Sequence, residues 1–174
     1  TPKTPYAMLR SLVGSEMCIR DRIDGVTTNP TLIRKSGRDP EEVYQELAEE
    51  GVKDISMEVV GDSKTMTSEG LRLASKFQEV ATIKVPCSPD GLLTCAHLSR
   101  DNIKVNVTLI FDAAQAILAA KAGATYVSPF VGRLDDNSVN GLDVIKDIHD
   151  IYQTHWVKTQ ILSASIRGVK ACLL

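Results

Sequence analysis

The sequence has little with which to build a disulfide framework, a metal knot, a nucleic-acid surface or a membrane span. Its four cysteines, Cys18, Cys87, Cys95 and Cys172, are widely spaced and form no C-x-x-C pair, and only three histidines could join them at a metal. They read as reduced thiols, which points to a cytoplasmic setting. Lysine and arginine together number 20 against 22 acidic residues, and the two signs are interspersed. No basic face is therefore available to track a polyphosphate backbone or an anionic bilayer, and neither nucleic acid nor membrane is expected as a partner. No apolar run approaches the roughly 20 residues of a transmembrane helix, and no charged segment followed by an apolar stretch and a small-residue cleavage site marks a leader.

What is present is a chain of 174 residues, 43% of them apolar, enough for one well-buried core and too short for two ordinary domains. Residues 1–22 sustain neither a strand nor a helix period. Their stretch SLVGSEMCIRDR also resembles the conceptual translation of a transposon-library sequencing tag. The segment is expected to be foreign to a domain that occupies residues 23–174.

From there short β-rich runs alternate with longer amphipathic ones. Strands are predicted over Gly25–Thr28, Ile55–Val60, Ala81–Val85, Lys104–Leu109, Thr125–Ser128 and Lys158–Leu162. Between them the apolar spacing predicts helices over Pro40–Glu50, Ser63–Glu79, Pro89–Arg100, Asp112–Ala122 and Gly141–Tyr152. This alternation is that of an α/β protein with a parallel sheet, and no G-x-G-x-x-G turn follows any strand, which argues against a dinucleotide-binding doubly wound sheet.

The strands share a second property. Each carries a polar residue at or near its C-terminal end: Thr28, Glu58, Lys84, Thr108, Ser128 and, just beyond the last strand, Ser165. In a (β/α)8 barrel those ends surround one pocket, so six separate segments would deliver side chains to a single site. Taken singly, each hydroxyl has an ordinary explanation in local backbone bonding. Lys84 is the exception. Its neighbours Ile83 and Val85 point to the opposite face of the strand, so Lys84 faces the barrel interior if helices cover the other side. There it would either pair with Glu58, snorkel to solvent, or act as a nucleophile. A neutral amine attacks a ketone, and desolvation can lower a lysine pKa by several units. The resulting protonated imine accepts the electrons of a breaking carbon–carbon bond, and Glu58 and Thr108 have the chemistry to help move protons.

Five blocks, GVTTNPTLI (25–33), IKVPCSPDGL (83–92), KVNVTLIFDAAQA (104–116), AGATYVSPFVGRLDD (122–136) and ILSASIRG (161–168), closely resemble the transaldolase family in unbroken order. The resemblance implies a (β/α)8 barrel and an enzyme of the pentose phosphate pathway. It would transfer a dihydroxyacetone unit from fructose 6-phosphate or sedoheptulose 7-phosphate to an aldose phosphate, with no cofactor and with sugar phosphates as its small-molecule partners. It implies that Lys84 forms the Schiff base while Glu58 and Thr108 position a proton-relaying water. Asn29 and Asn106 are implied to contact donor hydroxyls, with Thr28, Ser128 and Phe130 lining the pocket. Arg133, Ser165 and Arg167 are the implied phosphate clamp, a role that suits guanidinium forks. The family also implies a homo-oligomer.

Two alternatives stand beside this expectation: fructose-6-phosphate aldolase, which releases free dihydroxyacetone, and a non-catalytic sugar-phosphate-binding fragment. The aldolase branch carries Gln and Tyr where this chain has Glu58 and Phe130, so the sequence sides with transaldolase. The chain departs from the family at both ends. The opening L-D-T strand, whose Asp serves as general acid/base, and the A-D-I-A-T-V-P strand near the close have no counterpart here, and Asp21 lies too near Gly25 to supply that role. The expectation is a barrel without its strands one and eight, open between the neighbouring edges, with activity impaired accordingly.

Overall fold

The computed structural model of the chain describes residues 24–166. Residues 1–22, read from the sequence as foreign, and Arg167 of the expected phosphate clamp lie outside the described residues. Six strands, β1 (Val26–Thr27), β2 (Ile55–Glu58), β3 (Ala81–Pro86), β4 (Lys104–Ile110), β5 (Tyr126–Pro129) and β6 (Gln160–Ile161), form one sheet in sequence order. Every neighbouring pair is parallel. The helices between them are α1 (Pro30–Lys35), α2 (Pro40–Glu49), α3 (Ser63–Phe77), α4 (Pro89–Arg100), α5 (Ala113–Lys121), α6 (Val131–Asp136) and α7 (Gly141–Thr154). A parallel sheet whose spatial order equals its chain order, with a helical crossover at each step, is the wall of a (β/α)8 barrel rather than a doubly wound sheet, which reverses its order. Among the described residues the barrel is incomplete, with β1 and β6 as its two edges. No described helix is long and apolar enough to cross a membrane.

The pleat divides each strand between two environments. Ile55, Met57, Val59, Ile83, Val85, Val105, Val107, Ile110 and Val127 are at most 2% exposed and form the helix-facing layer of the core. The residues between them, Ser56, Glu58, Thr82, Lys84, Asn106, Thr108 and Ser128, face the barrel axis. Burial of each aliphatic side chain stabilises the fold by about 1.5–3 kcal/mol, so the helix-facing row carries the sheet while the axial row is left for polar groups.

The helices begin where the sequence offers an acceptor. Asn29, Asp39, Asp62, Ser88, Asp112 and Asn140 each accept a backbone N–H of the first turn of α1, α2, α3, α4, α5 and α7 respectively. Pro30, Pro40 and Pro89 stand at the first helical position, where no N–H is needed. Two helices go beyond the sequence expectation. Asn29-Pro30 both stops β1 and starts α1. Helix α6 has no side-chain cap, and its first N–H groups, those of Val131 and Gly132, instead donate to the carbonyls of Ala164 and Ser165 at 3.1 and 3.0 Å. That cap comes from 33 residues away, out of reach of any local pattern.

Strand β4 also differs from its expected form. It continues to Ile110, and the register with β5 shifts between Thr108 and Ile110, with Leu109 at φ 60°. This bulge exchanges the faces: Val105 and Val107 are core residues, yet the next core residue is Ile110, and Leu109 is 40% exposed.

Candidate active site

The axial side chains stack in layers. At the N-terminal end, Asp54 accepts hydrogen bonds from Lys104 Nζ at 2.7 Å and from the Tyr126 hydroxyl at 3.2 Å. Burial and the Asp54 carboxylate push the Tyr126 phenol above its usual range. In the next layer, Ser128 Oγ donates to Asn106 Oδ1 at 2.9 Å, and Asn106 Nδ2 donates to Ser56 Oγ at 3.2 Å. All three are buried. Both ends of the Asn106 amide are thus held by hydroxyls, which fixes its orientation next to Lys84, its register partner on β3.

Lys84 lies in the layer above. The residue is 9% exposed, and its Nζ donates to Glu58 Oε2 at 3.0 Å and to the Thr28 carbonyl at 3.1 Å. Glu58 is its register partner on β2, so the pair is dictated by strand alignment and not by chance side-chain reach. Asn29 Nδ2 approaches the same Glu58 oxygen at 3.5 Å while its Oδ1 caps α1. An amine, a carboxylate that can receive its proton, and polar groups of three strands therefore meet at the C-terminal end of the sheet, where barrel sites form.

This end opens into a cavity of about 380 Å³ lined by Lys84, Thr28, Asn29, Thr108, Ser128, Phe130 and Ser165, among others. Of the residues picked out from the sequence, these seven come together on one space, and Glu58 and Asn106 join them through hydrogen bonds. Thr108 is the register partner of Ser128 and is 3% exposed, yet its Oγ1 has no protein hydrogen-bond partner among the described residues. A buried hydroxyl in that condition, on the wall of the cavity, is suited to hold a small polar molecule.

Three placements depart from the simplest picture. Thr28 meets the lysine with its carbonyl, while its hydroxyl donates to the Ser56 carbonyl at 2.8 Å and lies 3.5 Å from the Tyr44 hydroxyl. Arg133, in α6, is exposed and does not line the cavity. Ser165 does line it, held at φ 58° by the bonds that its carbonyl and that of Ala164 make to α6.

Ser56 and Phe111 were not singled out by the sequence reading. Ser56 was within reach of it, since it shares a strand face with Glu58 two residues on. Phe111 was not, because its direction depends on the Leu109 bulge. Its ring packs edge-to-face on Phe130, with centroids 6.0 Å apart at 64°.

The family model described as Transaldolase/Fructose-6-phosphate aldolase matches residues 7–173. A protein of Ruegeria sp. named "Probable transaldolase" is 51% identical over 152 residues, which cover 87% of this chain and 70% of that one. Proteins with the same name from Erythrobacter litoralis and Geobacter sulfurreducens are 53% and 52% identical over 155 and 147 residues, covering 87% and 84% of this chain and 70% and 68% of theirs.

Proposed function

Because the chain belongs to the transaldolase/fructose-6-phosphate aldolase family, we propose that it is a transaldolase working through a Schiff base on Lys84, with sugar phosphates as donor and acceptor. The observation that carries this reading is the buried amine: Lys84 Nζ, 3.0 Å from a carboxylate that can take its proton, on the wall of a cavity that the unpartnered Thr108 hydroxyl also lines.

The neutral amine adds to the C2 carbonyl of a ketose phosphate, and the carbinolamine loses water to give an iminium. The iminium then draws in the electron pair of the C3–C4 bond. An aldose phosphate departs and a three-carbon enamine stays on Lys84. Attack of that enamine on a second aldehyde forms the new bond, and hydrolysis of the imine returns the amine. Glu58 is within hydrogen-bond reach to receive and return the lysine proton, and Thr108 would orient the water that carries protons between substrate and carboxylate. Asn106, locked between Ser56 and Ser128, would present its remaining amide hydrogen to a donor hydroxyl. Phosphate recognition falls to Ser165 with Arg133 and Arg167. Residues 23–174 form the barrel domain of this reading, and the free thiols of Cys87 and Cys95 suit a cytoplasmic setting.

Incubation with fructose 6-phosphate and sodium borohydride, followed by peptide mass mapping, tests the step on which the rest depends. A reduced three- or six-carbon adduct on Lys84 is expected. Fructose 6-phosphate turnover without any adduct on that residue would rule the mechanism out.

A further inference from the structure

The covalent intermediate of this reading has two fates, and the mouth of the barrel bears on the choice between them. Phe130 closes one side of the cavity that holds Lys84. It precedes α6, its N–H donates to the Ile110 carbonyl at 2.9 Å, and it bridges to Ala164. These contacts fix its backbone but leave its ring free to turn about the side-chain bonds. What meets the ring is Phe111, edge-to-face at 6.0 Å.

Phe111 stands outside the cavity lining and is 39% exposed, so burial in the core does not account for its position. Its backbone is nevertheless pinned. The N–H donates to Gln115 Oε1 at 2.7 Å, and Asp112, the next residue, caps α5. The preceding Leu109 is held at φ 60°, a conformation that costs a branched residue on the order of 1–3 kcal/mol and persists only where the surroundings impose it. The bulge sends Ile110 into the core and brings Phe111 round to the mouth.

We propose that Phe111 is a specificity-determining residue that holds the Phe130 ring over the Lys84 cavity, and so decides whether the enamine reacts with an aldose phosphate or with water. This rests on the Schiff-base reading. In the transfer branch the enamine carbon forms a bond to the acceptor aldehyde. In the hydrolytic branch the same carbon takes a proton, water adds to the resulting iminium carbon, and dihydroxyacetone leaves as the amine is restored. Water adds to an iminium carbon at the end of both branches, so the choice is made at the enamine carbon, and an apolar ring fixed at the mouth offers no partner to a water molecule that would protonate that carbon before the acceptor arrives. A ring released by loss of its neighbour samples other rotamers and opens that path.

The test supplies fructose 6-phosphate with and without erythrose 4-phosphate and counts free dihydroxyacetone against transferred three-carbon units. Phe111→Ala is expected to raise the ratio of release to transfer about two- to tenfold, the range that loss of one edge-to-face aromatic pair gives. Phe111→Tyr, which keeps the ring, should retain the parent ratio. Phe111→Leu, which keeps apolar bulk without the edge-to-face geometry, covers the case in which the alanine variant does not fold, and it too should raise the ratio. A ratio unchanged in Phe111→Leu and Phe111→Ala, or equal slowing of both branches, overturns the proposal. Borohydride trapping on the same samples separates the two failures. An adduct on Lys84 with an unchanged ratio removes Phe111 from the choice of fate, whereas turnover with no adduct removes the Schiff base and this inference with it.

Discussion

Gly91 lies in the first turn of α4, and two rules give opposite signs for its replacement by alanine. Helix propensity alone favours Gly91→Ala by about 0.5–1 kcal/mol, since glycine loses more backbone freedom than alanine on entering a helix. The packing forbids it. A Cβ built there would stand 1.9 Å from the carbonyl oxygen of Pro86 and 3.3 Å from Ser88 Oγ. Real Cβ contacts stop near 3.0 Å, so the helix must retreat by about 1 Å or unwind its first turn, and overpacking of this kind costs on the order of 1–3 kcal/mol. Unwinding would also forfeit the Ser88 cap, in which Gly91 N–H donates to Ser88 Oγ at 3.1 Å, worth about 1 kcal/mol. The obstacle is a carbonyl, not the end of a flexible side chain, so relief by a rotamer change is closed. The net expectation is a loss of about 1–3 kcal/mol, read as a lower midpoint in urea at an unchanged slope. Because Pro86 ends the strand that carries Lys84, a shift of about 1 Å there should also slow turnover, by up to about 10². A Gly91→Ala chain as stable as the parent, or more so, would show that the approach of α4 to β3 is not as close as described.

Two further outcomes follow from the buried groups. Lys84→Met should abolish borohydride trapping and destabilise the fold by about 1–2 kcal/mol, less than the 3–5 of a fully buried pair because the Glu58 side chain is 21% exposed. Adding Glu58→Gln should recover most of that loss in urea unfolding, and simple additivity of the two changes would show that the pair is not coupled. Stability should also fall at alkaline pH. Burial pushes Cys95 and Tyr152 up to about 12 from ordinary values near 9 and 10. Both acids ionise earlier in the unfolded chain, so their contribution is intact below about pH 9 and is lost as pH rises toward 12, at up to about 1.4 kcal/mol per pH unit for each. Tyr152→Phe, which removes the hydroxyl that donates to the Ala116 carbonyl at 2.7 Å, should flatten that decline between about pH 10 and 12. An unchanged slope in the phenylalanine variant would place the alkaline sensitivity elsewhere.

The parts of this fold that the sequence announces are those whose cause lies within a few residues. Asp39-Pro40, Ser88-Pro89 and Asp112 cap the helices that follow them, and the alternation Ile55-Ser56-Met57-Glu58 states directly which side chains face the helices and which face the axis. The axial set was readable for the same reason: once Ile83 and Val85 are given to the core, Lys84 has nowhere else to point. What the sequence left unread depends on residues far away. Helix α6 is capped by carbonyls at Ala164 and Ser165, and the Thr28 hydroxyl donates to the Ser56 carbonyl while the Thr28 carbonyl receives Lys84. The bulge at Leu109 belongs to this second class and has the largest consequence. A run of Val-Asn-Val-Thr-Leu-Ile-Phe read with strict alternation sends Leu109 to the core and Ile110 to the axis, and only the pairing of Ile110 with Pro129 reverses them. One inserted residue thus buries Ile110 and frees Phe111 to reach Phe130. The register of two strands, invisible in either one alone, sets the aromatic rim above the lysine.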